Sequence, residues 1–317
     1  MIIAIDFGGT NIKVGLVDKG KVLEQTRLPS HSDQGLIARL DDVKAEVGVL
    51  LHLCKATLAD CSGIGIATPG IVDTERRTIL SINEKYADVV GFDIEKWAVY
   101  TFGLPFMIEN DARAALLGEV HHGVARGTKD AVLLTFGTGI GTSAMIDGQV
   151  LRGKHYQAGI LGGHFTTNIH GNLCNCGNTG CLEAQAGHWA LSYALKRHPQ
   201  YMNSELSEVS HPGYREIIDA ALRKDAVGMD VLEELMAHWS AGIINMVHAY
   251  DPEIVILSGG LMKSQQFLLQ SLYDKVNQKS WTPWGDVKLV VADNPDASVL
   301  LGLSALFGNT ENAIDPS

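Results

Sequence analysis

The chain has 317 residues, 46% hydrophobic and 19% charged, which is apolar enough to bury a sizeable core and excludes global disorder. Its formal net charge is −11, from 25 Lys and Arg against 36 Asp and Glu. No basic cluster exists, which argues against nucleic acid or an anionic membrane as the main partner. Five cysteines are an odd set for a disulfide framework, and no stretch reaches the ~18 apolar residues a membrane helix wants, so a cytoplasmic protein is expected.

The first strand is expected over 2–6 and the second over 13–17, joined by Gly8-Gly9-Thr10-Asn11. Asp18-Lys19-Gly20 turns the chain back into a third strand over 21–25. Leu36, Leu40, Val43, Val47, Leu50 and Leu51 recur at helical spacing and predict a helix over 36–58. A short buried strand over 63–67 ends at Thr68-Pro69-Gly70. Another over 106–110 leads to Asp111, expected to cap a helix over 112–120. The pattern then restarts. Asp6-Phe7-Gly8-Gly9-Thr10 through Asp18 aligns with Thr135-Phe136-Gly137-Thr138-Gly139 through Asp147, at the same spacing. Two such β-turn-β units imply a duplicated α/β fold, two lobes with a central cleft. Residues 151–187 are loop-rich, 188–249 mostly helical with an irregular stretch at 203–213, and 254–257 a strand ending in Ser258-Gly259-Gly260. A final helix is expected over 297–307, then a frayed polar tail over 308–317. The lobes are expected to comprise 1–114 with 298–317, and 115–297.

Backbone amides in a glycine turn between two strands can point at an anion, and two such turns, at 8–11 and 137–141, can grip a polyphosphate from two sides. Asp6, at the end of the first strand, is placed to hold Mg²⁺ directly or through water. At the strand–helix junction an ionised Asp111 can take a proton from a hydroxyl attacking phosphorus, and Asn110 can serve sugar hydroxyls. Cys174-x-Cys176-x4-Cys181 places three thiols within eight residues and reads as a structural Zn²⁺ site, completed by His164 or His170. Glu183, two residues beyond, is positioned for a substrate contact.

These motifs together resemble the ROK family of sugar kinases and repressors, within the actin/hexokinase-like ATPase superfamily. The likeness runs from Asp6-Phe7-Gly8-Gly9-Thr10-Asn11-Ile12-Lys13 through Glu109-Asn110-Asp111-Ala112, Gly137-Thr138-Gly139-Ile140-Gly141, Gly163-His164 and the cysteine loop to Ser258-Gly259-Gly260. The resemblance implies two actin-like, ribonuclease-H-like lobes and an ATP-dependent sugar kinase with Asp111 as catalytic base. It implies a sugar pocket of Asn83, Asn110, Asp111, His164 and Glu183, and zinc held by His164, Cys174, Cys176 and Cys181. ATP would lie on Asp6, Gly8, Gly9, Thr10, Asn11, Lys13, Gly137, Thr138 and Gly139, with Gly259 and Gly260 near the adenosine. A homodimer is the expected assembly.

Two departures bear on substrate. Leu161 stands where the family has a sugar-binding Glu three residues before its zinc-binding His, and Asn83-Glu84-Lys85-Tyr86 replaces the usual Asn-x-Pro-Gly-Trp stretch. A sugar other than free glucose is therefore expected. The alternatives are a sugar-binding relative without catalysis and a transcriptional repressor; the latter would need a DNA-binding module before the first glycine turn, and only five residues precede Asp6.

Overall fold

A computed structural model describes residues 1–82 and 85–308. Asn83 and the tail over 309–317 lie outside the described residues. The chain runs β1 (Ile2–Phe7), β2 (Asn11–Asp18), β3 (Lys21–Pro29), α1 (Leu40–Leu53), β4 (Gly63–Thr68), β5 (Ile71–Asp73), β6 (Thr78–Ser81), α2 (Ile94–Phe102), β7 (Phe106–Asn110) and α3 (Asp111–His122). It continues through β8 (Ala131–Phe136), β9 (Ile140–Ile146), β10 (Gln149–Val150), α4 (Leu182–Ala186), α5 (Leu191–Arg197), α6 (Tyr214–Leu222) and α7 (Ala226–Tyr250). The last elements are β11 (Ile254–Gly259), α8 (Gln265–Lys279), β12 (Leu289–Val291) and α9 (Pro295–Gly308).

Two compact units result. The first holds Met1–Thr128, Val150–Ala158 and the chain from Ala292 onward; the second holds Lys129–Gln149 and Gly159–Val291. The first unit's sheet has the order β3-β2-β1-β4-β7, and the second unit's has β10-β9-β8-β11-β12. In the first, β1, β4 and β7 are parallel while β2 runs antiparallel to β1; in the second, β8, β11 and β12 are parallel while β9 runs antiparallel to β8. The duplicated hairpins thus sit at equivalent places in two sheets of the same order.

In the first unit, Gly15, Gly63 and Gly65 leave room on the sheet for Leu300, Phe307 and Leu303 of α9, each of which a Cβ would strike. On the opposite face of the sheet, Val43, Val47, Leu50 and Leu51 of α1 join an apolar core with Ile3 and Ile5 and with Val14, Leu16, Ile64 and Ile66, which alternate with those glycines. α3 and α9 meet backbone to backbone: a Cβ on Gly118 would fall 1.9 Å from the Ser298 carbonyl oxygen, and one on Gly302 would fall 1.7 Å from that of Ala114. This close seam keeps all of α3 in the first unit, which runs to Thr128 rather than ending at 114.

The first helix is shorter than its apolar spacing suggested. Lys55 adopts a left-handed φ of 52° just past α1, and residues 37–39 and 58–60 form separate 3-10 turns, the second tied by Asp60 accepting from the Thr57 amide at 2.9 Å. The helix cap also moves: Asn110, not Asp111, is the N-cap of α3, its Oδ1 accepting from the amides of Ala112 and Arg113 at 3.0 and 3.2 Å.

Candidate active site

Three parallel strands of the first unit end side by side, with Asp6 opposite Ala67 and Thr68 opposite Asn110. Crevices at the carboxyl ends of parallel strands are where α/β sheets take ligands. Gly8 and Gly9 turn the chain there, and their carbonyls are held from outside. The Tyr86 hydroxyl donates to the Gly8 oxygen at 2.8 Å; Ser30 and Ser32 hydroxyls donate to the Gly9 oxygen at 2.6 and 2.9 Å. Burial pushes the Tyr86 phenol up to about 12, so it remains a donor. Thr10 and Asn11 are exposed at the tip.

Asp6 is buried, and its Oδ1 has no hydrogen-bond partner among the described residues. Burial pushes its carboxyl up to about 7, the nearby Asp111 and Asp296 carboxylates add to that, and Lys13, 3.7 Å away, opposes it. Lys13 also lies 3.5 Å from Asp296. A buried, orphaned carboxylate oxygen beside a glycine turn suits a hard cation such as Mg²⁺. Asp111 opens α3 with its Oδ1 2.8 Å from the Ala112 amide. Burial raises its carboxyl above the ordinary range, while Lys85 and Lys13 pull it back. Lys85 was not singled out from the sequence. A Cβ on Gly9 would lie 2.7 Å from its Nζ, so the ammonium rests against the first turn. Asn110 is more committed than its carboxamide suggested, since beyond the cap its Nδ2 donates to the Gly70 carbonyl at 3.0 Å.

Beneath Asn110 and Asp111 lies a charged network the sequence did not announce. Glu109 and Arg113 are both fully buried. Glu109 accepts from the Asn110 amide at 2.9 Å and pairs with Arg113 at 3.6 Å and with Arg152. Arg113 donates to the carbonyls of Leu151, Tyr156 and Ala158 at 2.9, 2.9 and 3.0 Å, fastening the 150–158 segment to the strand end that carries Asp111. Only the i, i+4 spacing of Glu109 and Arg113 hinted at a pair.

In the second unit, β8 and β11 end together, Gly259 opposite Phe136, so Gly259 and Gly260 adjoin the turn of Gly137, Thr138 and Gly139. Gly259 has φ 93°, and a Cβ there would meet the Phe136 carbonyl oxygen at 2.3 Å. The Gly137 amide donates to the Gly139 carbonyl at 3.0 Å. The Ile140 amide donates to Glu183 Oε2 at 2.7 Å, and the Trp189 indole donates to Glu183 Oε1 at 3.2 Å.

The unit also gathers His164, Cys174, Cys176 and Cys181, with one donor atom of each within 4.8 Å of the others. Cys174 Sγ is 3.5 Å from His164 Nδ1, and Cys176 Sγ is 3.6 Å from Cys181 Sγ. Tetrahedral Zn²⁺ with Zn–S near 2.3 Å has edges of roughly 3.7 Å, so the donor set fits that ion. His170 is not in the group. Asn178 donates to Cys181 Sγ at 3.3 Å and to Thr166 Oγ1 at 3.0 Å, fixing a sulfur from outside. Gly180 has φ 79° and a Cβ there would fall 1.6 Å from the Asn168 carbonyl oxygen, so the loop closes only on glycine.

Among the described residues, no helix is long and apolar enough to cross a membrane. The sequence model of the ROK family matches residues 2–310. A glucokinase of Thermotoga maritima is 30% identical over 281 residues, 87% of this chain and 86% of that protein. A xylose repressor of Caldicellulosiruptor bescii is 31% identical over 318 residues, covering 96% of this chain and 77% of the repressor. The crystal structure of a ROK family glucokinase from Streptomyces griseus, in complex with glucose and AMPPNP, superposes with a TM-score of 0.80 at 27% identity, over 96% of this chain and 98% of that one. The likeness extends to the actin-like fold that the family resemblance implied, and the two sheets of equivalent order match the duplication that the two hairpins predicted.

Proposed function

The chain belongs to the ROK family, and from that premise we propose that it is an ATP-dependent sugar kinase, transferring the γ-phosphoryl group of MgATP to a hydroxyl of a hexose or hexose derivative. The observation that carries the reading is the meeting of Asp6, Asp111 and the Gly8–Gly9 turn at the ends of parallel strands. Asp111 is the general base: its carboxylate takes the hydroxyl proton as the sugar oxygen bonds to the γ-phosphorus, and the bond to the bridging oxygen breaks to release ADP. Burial raises that carboxyl above its ordinary range, and Lys85 and Lys13 draw it back toward the ionised form. Asp6 would hold Mg²⁺, which when bound neutralises phosphate charge. Gly8, Gly9, Thr10 and Asn11 of one turn and Gly137, Thr138 and Gly139 of the other serve phosphates, with Gly259 and Gly260 toward the nucleoside. Asn110, His164 and Glu183 serve the sugar. His164, Cys174, Cys176 and Cys181 would hold Zn²⁺, which supplies loop rigidity.

The preferred sugar in this reading is not free glucose. Leu161 is 37% exposed and stands just ahead of the 3-10 turn that carries His164, where it offers no hydrogen bond to a hydroxyl. The 31% identity to a repressor favours a second reading, a sugar-binding protein without catalysis. One experiment separates them: ADP release measured over a panel of hexoses, N-acetylhexosamines and glycosides. A sugar-dependent rate supports the kinase; sugar binding with no ADP release from any of them overturns it. Glucose as the best substrate would overturn only the inference from Leu161.

A further inference from the structure

Glu183, read above as a sugar contact, is also engaged within the second unit. Each of its carboxylate oxygens already accepts a hydrogen bond inside the second unit: Oε2 from the Ile140 amide at 2.7 Å, Oε1 from the Trp189 indole at 3.2 Å. The first bond reaches into the glycine turn. Gly139 makes the approach possible, since a Cβ there would lie 2.1 Å from Glu183 Oε2. The Trp189 amide adds a long contact to the Thr138 carbonyl at 3.4 Å.

The other end of this linkage is the His/Cys cluster. Cys181 immediately precedes α4, and Glu183 is its second residue. Cys174, Cys181 and Ala184 form one small buried cluster with Trp189 packed against it. The far end of α4 is pinned as well, its Ala186 carbonyl accepting from the Trp239 indole at 3.0 Å and the Tyr214 hydroxyl at 2.9 Å. The two residues ahead of His164 pack on the same strand: a Cβ on Gly163 would fall 2.1 Å from the Ile140 carbonyl oxygen, and the Gly162 amide donates to Thr142 Oγ1 at 2.8 Å. Ile140 is thus held at its amide by the segment following Cys181 and crowded at its carbonyl by the segment carrying His164.

We propose that Glu183 is a positioning residue that couples the His/Cys cluster to the second glycine turn, so that a divalent metal ion in the cluster tightens polyphosphate-nucleotide binding at that turn. The inference rests on reading the turn as a phosphate site. Without the metal, the two segments bracketing Ile140 lose their common anchor, and the turn must be ordered at the moment of nucleotide binding; with it, that cost is met beforehand. Coupling of this kind is reciprocal, so nucleotide must raise metal affinity by the same factor that metal raises nucleotide affinity.

The test uses the full chain, with MgAMPPNP as probe in calorimetric titrations at saturating and chelated Zn²⁺. Metal removal is expected to weaken MgAMPPNP binding about tenfold in the wild type, within the usual span of coupling energies. Glu183→Ala should weaken it comparably and erase most of the remaining metal dependence, because the two changes break one linkage. Glu183→Gln, whose amide oxygen can still accept from Ile140, should keep the metal dependence. Hydrogen exchange at the Ile140 amide gives a readout free of nucleotide: protection should fall on metal removal and in Glu183→Ala, and persist in Glu183→Gln. Equal metal dependence in wild type and Glu183→Ala, or Ile140 protection indifferent to metal, overturns the proposal. A wild type that binds no MgAMPPNP while Ile140 protection still follows metal and Glu183 overturns the phosphate reading of the turn and leaves the linkage standing.

Discussion

The two glycine turns close equivalent strand pairs, but they are held by opposite groups. At Gly8 and Gly9 hydroxyl donors from Tyr86, Ser30 and Ser32 take the carbonyls, and an ammonium from Lys85 rests alongside. At Gly137 to Ile140 an acceptor, the Glu183 carboxylate, takes an amide, and another amide is turned inward onto the Gly139 carbonyl. The first arrangement adds positive charge and pins the turn through its carbonyl acceptors. The second adds negative charge and spends two amides. The two sheets share a topology, but their side chains differ: the first turn has cationic Lys85 against it, and the second is bound through Glu183 to the helix that follows Cys181.

The largest effect should come from the first side of this comparison. Asp111→Asn is expected to lower kcat by ~10²–10⁴-fold or more while MgAMPPNP still binds, since only an ionised carboxylate can take the hydroxyl proton. Retention of more than about a tenth of kcat, in a rapid-quench or coupled assay, would remove the base from the first unit. Next comes the support. Cys176→Ala should lose about one equivalent of Zn²⁺ by elemental analysis and lower activity by roughly 10–100-fold. Full activity in a zinc-free protein would make the two turns independent of metal alike.

Tyr86→Phe tests whether the hydroxyl clamps matter. It strands the Gly8 carbonyl at a cost of ~1–3 kcal/mol, which should lower the calorimetric midpoint by several degrees and leave zinc content unchanged. Lys85→Met should act on pH dependence. Lys85 holds the Asp111 carboxyl down, so its loss moves the acidic limb of kcat/KM to higher pH: activity falls several-fold below the limb and recovers at alkaline pH. The shift should be larger at low ionic strength. An unmoved limb would detach Lys85 from the base.

Much of this was legible in the sequence because it is local. Strand, turn and strand lie within a dozen residues at both hairpins, and three thiols lie within eight, so neighbour-scale chemistry reveals them. The cap was misread by one position, because Asn and Asp stand together and both can cap. What stayed hidden depends on distant partners. Gly139 and Glu183 meet only after the chain folds back over forty-odd residues, and nothing in Leu-Glu-Ala-Gln-Ala announces that its carboxylate will find an amide. Arg113 reads as a polar helix residue until the 150–158 segment supplies three carbonyls. α8 buries only Leu268, Leu272 and Val276 among many polar residues, and β12 is three residues long, too little pattern for either to stand out.

The glycine seam between α3 and α9 bears on how the molecule comes into being. The first unit opens the chain, yet α9, which fills the strip over Gly15, Gly63 and Gly65 and lies against Gly118, is made after the whole second unit. On a ribosome, the second unit has every strand and helix it needs before the first does. Until α9 emerges, the earlier half waits with an apolar furrow open to solvent, a surface for chaperones to cover and for other nascent chains to stick to. Order of synthesis and order of completion are therefore reversed: β1, translated ahead of the other strands of its sheet, has that sheet covered only once α9 arrives.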